Sequence, residues 1–136
     1  MIRRIALALI LLAAPMAAAA GARDKPIPLE EWRSMTDGRT VYYYIDGVFF
    51  GREHYWPGTN MVTFQHASGL CADAHWTYRN GIYCFHFDRP HCFAHVHRAG
   101  RIVIIPDNVE PDETAQEQEV RLISPAPFSC QPGAMS

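Results

Sequence analysis

Three of the four cysteines and five of the seven histidines fall within residues 71–97. Histidine near carboxylate or thiol is the raw material of metal sites, proton relays and activated nucleophiles. Spacing decides which of these is open. Asn80-Gly81 is a strong two-residue hairpin signal, because a primed turn needs positive φ at both central positions. The register that follows sets His75 opposite His86, Thr77 opposite Cys84 and Asp73 opposite Asp88 on one face. The other face receives Tyr78 with Tyr83, Trp76 with Phe85, and Ala74 with Phe87. His75 and His86 are therefore the candidate metal ligands, for zinc or copper, with Asp73 and Asp88 behind them to fix the ring tautomers. The plainer reading, which we prefer, is a pair of strand histidines on a partly wet face, with no cofactor. His95 and His97 form a His-x-His pair, but strand parity puts them on the aromatic face, away from His75 and His86.

The cysteines read differently once the N-terminus is considered. Met1-Ile-Arg-Arg4, the apolar run Ile5–Leu12 and the small residues Ala18-Ala19-Ala20 predict a signal peptide over 1–20, cleaved before Gly21 or Arg23. Export to the periplasm or beyond turns cysteines into crosslinks. Cys84 and Cys92 flank a connector that reads as a hairpin, so Cys84–Cys92 is the simplest pair, leaving Cys71 with Cys130. The alternative pairs Cys71 with Cys84 and Cys92 with Cys130, since Cys71 and Cys84 share a face; spacing alone does not choose.

Other chemistry has less support. There is no G-x-S-x-G elbow, P-loop, G-x-G-x-x-G, CxxC or CxxCH. The reading leans away from an enzyme. Tyr42, Tyr44, Phe49, Tyr55 and Trp56 form a candidate ligand pocket, which needs a barrel mouth or cleft to be more than core. The formal net charge is −2, and cleavage removes Arg3 and Arg4. An acidic chain with scattered arginines has no footprint for nucleic acid.

The elements that would position these residues are short. Residues 21–27 read as a lead-in. Pro28–Met35 predicts a helix, with proline and two glutamates in its first turn and Gly38 as a stop. Leu29, Trp32 and Met35 form its apolar stripe. Residues 40–45 and 48–55 form a hairpin around Asp46-Gly47, in which unbroken alternation sets Ile45 opposite Val48, Tyr43 opposite Phe50 and Val41 opposite Arg52. Strands then recur over 60–66, 71–78, 82–87, 91–97 and 101–105, and 119–123 could add an edge strand. The expected architecture is all-β: an antiparallel meander of six to seven strands, a partly closed barrel or folded-over sheet, with one N-terminal helix. It spans 28–106. Residues 107–136 are expected to be an acidic loop, lacking the spacing of a calcium loop, and a proline-rich tail tied back by Cys130. No segment of the mature chain predicts a transmembrane span.

Gly38-Arg-Thr-Val-Tyr, Asp46-Gly, Gly51-Arg-Glu-His-Tyr, Gly69-Leu-Cys, His75-Trp and Tyr83-Cys-Phe, with Cys92 following, resemble small exported cysteine-containing β-rich bacterial proteins of unknown function. Ala74 stands where that pattern carries a glycine. The resemblance implies a periplasmic or secreted β domain and assigns no catalytic residues. Together these readings point to a disulfide-stabilised module that binds a small ligand, an envelope component or a protein. The alternative is a histidine-based metal protein for storage, sensing or hydrolysis.

Overall fold

A computed structural model of the chain describes residues 23–108 and 116–130. The signal-peptide segment, its cleavage region, most of the acidic loop and the last six residues lie outside the described residues. The chain enters through β1 (Lys25–Pro26) and α1 (Leu29–Thr36). It then runs through β2 (Thr40–Ile45), β3 (Val48–Tyr55), β4 (Met61–His66), β5 (Cys71–Arg79), β6 (Ile82–His86), β7 (Pro90–Arg98), β8 (Arg101–Pro106) and β9 (Gln118–Ser124). Strands β2 to β9 pair antiparallel in chain order, and β9 pairs back onto β2. The result is a closed eight-stranded meander. β9, expected as an edge strand at most, bonds on both sides and closes the barrel. Closure removes the unpaired strand edges that an open sheet would expose.

The turns follow local chemistry. Asp46-Gly47, Asn80-Gly81 and Ala99-Gly100 all take positive φ at both positions, as primed hairpin turns require. The β5–β6 hairpin has the register its sequence implies: His75 faces His86, Trp76 faces Phe85, and Tyr78 faces Tyr83.

The β2–β3 hairpin departs from simple alternation. Ile45 faces Val48 and Tyr44 faces Phe49, but Tyr43 faces Gly51 and Val41 faces Glu53. Phe50 is the extra residue of a β-bulge. Because strand side chains alternate, one inserted residue reverses the facing of all that follow. Arg52 therefore lies opposite Tyr42, and Glu53 and Tyr55 turn inward with Val41 and Tyr43. Gly51 suits the kink: a Cβ there would come within 2.5 Å of the Phe64 ring. A second bulge, at Arg121 of β9, shifts the register on the other side of β2. Bulges on both flanks of one strand increase the coiling needed to close a barrel.

The barrel has two unlike ends. At one, the turns 56–60, 80–81 and 99–100 surround α1. Proline at the N-cap and Glu30 and Glu31 in the first turn suit the start of this helix,. Its Trp32 is fully buried, packed edge-on to Tyr55 at 5.8 Å and to His95 at 4.3 Å between ring centroids. Gly38 N–H donates to the Tyr55 carbonyl, and Arg33 reaches Asn60 and stacks over Trp76. The other end carries the turns 46–47 and 67–70, the connection 87–89, and residues 107–108 and 116–117.

Both disulfides form. Cys84 pairs with Cys92, directly across β6 and β7 with Cα atoms 4.0 Å apart, and Cys71 pairs with Cys130 at 6.0 Å. The tail thus straps the outside of the barrel. Thr40 Oγ1 donates to the Ala126 carbonyl, and Arg52 stacks on Phe128, before Cys130 reaches Cys71. By loop entropy the hairpin link contributes about 2.6 kcal/mol and the strap about 4.3. Among the described residues, no helix is long and apolar enough to cross a membrane.

Candidate functional site: an internal cavity floored by a buried carboxyl

A cavity of about 480 Å³ lies inside the barrel. This is within the size range of small-molecule sites. Its walls are mainly aromatic and aliphatic: Phe50 from β3, Phe64 from β4, Phe85 from β6, Phe93 from β7, Ile104 from β8, and Phe87 just beyond β6. Ile45, Ala72, Asp88, Arg89, His91, Pro106, Asn108, Gln116 and Gln118 also line it. These residues sit at the strand ends opposite α1, which places the mouth there. Asn108 is fixed at that rim, its side-chain oxygen accepting from Cys92 N–H and its amide donating to the Pro90 carbonyl.

Three polar residues form the deep part. Glu53 and Tyr43 are each 5% exposed, and His95 is 2% exposed. All three line the cavity. The Tyr43 and Tyr55 hydroxyls both donate to Glu53 Oε1, at 2.9 and 2.8 Å. No hydrogen bond from the described residues reaches Oε2. Burial raises the Glu53 carboxyl to about 7, although the two phenols oppose the rise. Burial also pushes both phenols well above their ordinary value, with the Glu53 charge adding to the effect. His95 lies flat on Tyr83, with centroids 4.0 Å apart. Its Nδ1 is buried with no hydrogen-bond partner among the described residues, and burial drives its pKa down to about 3. The cavity therefore has a neutral imidazole and a carboxyl that exchanges its proton near neutrality. Such a carboxyl can hold or release a proton at neutral pH and can pair with a cation.

The histidines of residues 71–97 do not share a site. His75 and His86 stack on the outer face, centroids 4.4 Å apart and 6° from parallel. Imidazole lone pairs lie in the ring plane, so stacked rings direct them side by side; a shared metal requires the rings to fan apart. His86 Nε2 is hydrogen-bonded with Thr77 at 3.0 Å. Asp73 accepts from Thr63, and Asp88 pairs with His91 at 3.2 Å, so neither carboxylate backs the histidine pair. That His91 contact lowers the Asp88 carboxyl. His97 bonds Glu31, which fastens β7 to α1.

The aromatic candidates also part company. Tyr55 lies inside, on the floor carboxyl. Tyr42, Tyr44 and Phe49 cluster on the outer face of β2 and β3, with ring centroids 6.2 and 5.6 Å apart, and do not line the cavity. Trp56 is 43% exposed and packs on His54 near the helix end. Glu53, Tyr43 and His95 were absent from the candidate set. Gly51 carried the signal for Glu53, since an isolated glycine in a strand pattern marks a bulge or a close approach.

Fold and site together define a class of protein: a small, disulfide-linked antiparallel β-barrel, plugged by a helix at one end and hollow toward the other. No family model matches the chain, and no curated protein or solved structure matches it.

Proposed function

We propose that this is an exported binding protein of the cell envelope, whose barrel holds one small, largely apolar molecule. The cavity carries the reading. It is enclosed by a closed sheet, walled by phenylalanines and supplied at depth with a few polar groups, the usual make-up of a ligand site. The two disulfides and the absence of free cysteines among the described residues support an oxidising compartment,. The N-terminal leader pattern and the resemblance to small exported β-rich proteins support the same placement.

A neutral apolar dye, N-phenyl-1-naphthylamine, tests it. Its fluorescence should rise on titration and saturate at one dye per chain. Ile104→Trp fills part of the cavity beside His95 and should weaken the rise, while circular dichroism still shows a folded barrel. The reading fails if the native protein gives no saturable signal, or if the folded filled variant binds the dye as well as the native one does.

A further inference from the structure

The cavity is chemically one-sided. Among the described residues, Glu53 is the one carboxyl in its deep part, and none of the side chains hydrogen-bonded to it is a cation. From β2 it meets the phenol of Tyr43, and from its own strand the phenol of Tyr55. From β4 it is paired with apolar Phe64. His95, on β7, is neutral and leaves Nδ1 unpartnered among the described residues. Arg89, Asp88 and His91 belong to the opposite end, at the mouth. Both phenols donate to the same carboxylate oxygen, so Oε2 keeps its lone pairs for something else. A buried carboxylate is costly unless a cation or several donors meet it. The surrounding rings supply the second half of a cation site, because aromatic faces attract positive charge, most strongly where water is excluded.

We propose that the ligand is an organic cation: a protonated amine on an aromatic or alkyl body, with its ammonium on Glu53 and its body against Phe50, Phe64, Phe85 and Phe93. This rests on the cavity being a ligand site and goes further by naming the chemistry. Entry of the ammonium holds Glu53 ionised and gives Oε2 a donor. A carboxylic acid of the same shape brings a second negative charge to Glu53, and an alcohol brings no charge.

Three probes of one skeleton separate these cases: 2-(2-naphthyl)ethylamine, 2-(2-naphthyl)ethanol and 2-naphthylacetic acid. Their affinities are measured by calorimetry on the full mature chain at pH 8. There Glu53 is ionised, its carboxyl titrating at about 7, and an alkylammonium of pKa about 10 keeps its proton. The amine should bind at least about tenfold more tightly than the alcohol, roughly 1.4 kcal/mol, with the acid weakest. Glu53→Gln, which preserves an oxygen to accept from the phenols, should reduce the amine to the affinity of the alcohol. Circular dichroism checks that this variant keeps the folded barrel. Equal affinities for amine and alcohol in the native protein overturn the proposal, as does preference for the acid. A Glu53→Gln variant that keeps the amine preference overturns it as well. Failure of the dye to bind the native protein removes the cavity reading itself, and the cation proposal with it. Dye binding without amine preference removes only the latter.

Discussion

The two ends of the barrel are built from the same kinds of side chain and do different things. At the helix end, Trp32 meets Tyr55, Tyr83 and His95, and every member of that cluster is buried. At the other end, Phe50, Phe64, Phe87 and Phe93 are only partly buried, packed against the core on one side and facing the cavity on the other. Aromatic richness therefore does not distinguish core from pocket. One eight-residue helix does, because it fills one mouth and leaves the other open. The polar groups sit where the two regimes meet: Tyr55 touches Trp32 on the filled side and Glu53 on the hollow side.

The largest effect should come from emptying the filled end. Trp32→Ala leaves a void among rings that the rigid barrel cannot collapse onto, and such truncations cost about 3–5 kcal/mol. Phe93→Ala at the hollow end removes a half-buried ring whose inner face already borders empty space. It should cost roughly half as much, by the area it removes from water. Urea unfolding of both variants, compared by midpoint at constant m-value, measures the difference. Equal losses would mean that the hollow end is packed as core and that the contrast between the ends is false.

How much of this contrast was legible follows from the range of each signal. Asn80-Gly81 fixed the β5–β6 register because a primed turn dictates which residues face each other, and His75–His86 and Trp76–Phe85 lie opposite as that turn requires. Cys84–Cys92 was the simplest of two pairings that spacing left open, and the structure places the two cysteines directly across β6 and β7. The bulge at Phe50 broke the chain of inference. Alternation through 48–55 set Tyr43 opposite Phe50 and Val41 opposite Arg52, when Tyr43 in fact faces Gly51 and Val41 faces Glu53, which turns Glu53 and Tyr55 inward. Gly51 was the only local trace of that slip. The role of β9 was less legible still. A seven-residue strand reads the same whether it ends a sheet or closes a barrel, and the difference lies in its pairing with β2, far away in sequence. The plugging of one end depends on where α1 docks, and its apolar stripe gives the burial of Trp32 but not the partner.

Next in size is the effect of the groups between the two ends. Burial raises Glu53 from 4.5 to about 7 and lowers His95 from 6.5 to about 3. A raised carboxyl stabilises the fold fully below its unfolded value, and that stability is lost as pH climbs through the folded one. A depressed imidazole acts oppositely: stability is lost as pH falls below 6.5. Between 4.5 and 6.5 the two slopes oppose each other in the native protein. Glu53→Gln removes the falling slope, so stability should climb across that window and exceed the native value at pH 8 by on the order of 3 kcal/mol. His95→Phe removes the rising slope, so stability should fall from pH 4.5 to about 7. His54 is also lowered by burial, but it is common to all three proteins and drops out of the differences. Denaturant melts at pH 4.5, 5.5, 6.5 and 8 measure the slopes. Parallel pH curves for the native protein and both variants would show that neither group is buried in the sense described.

The smallest effect should come from the residues that first looked most chemical. His75 and His86 form a stacked pair on the outer wall, outside both the filled and the hollow ends. Cross-strand pairs of this kind contribute about 0.2–1 kcal/mol. Replacing both with alanine should therefore lower stability by less than about 1 kcal/mol and leave dye and amine binding in the cavity unchanged. The same variant decides the metal reading. A bound ion raises the stability of the folded state by about 2.7 kcal/mol at a hundredfold excess over its dissociation constant. If the outer histidines hold zinc or copper, the native protein should show a metal-dependent rise in melting temperature that the double variant lacks. The stacked rings argue for the other outcome, the same melting temperature with and without metal in both proteins. That result would leave the interior carboxyl, and not the outer histidine pair, as the ligand site among the described residues.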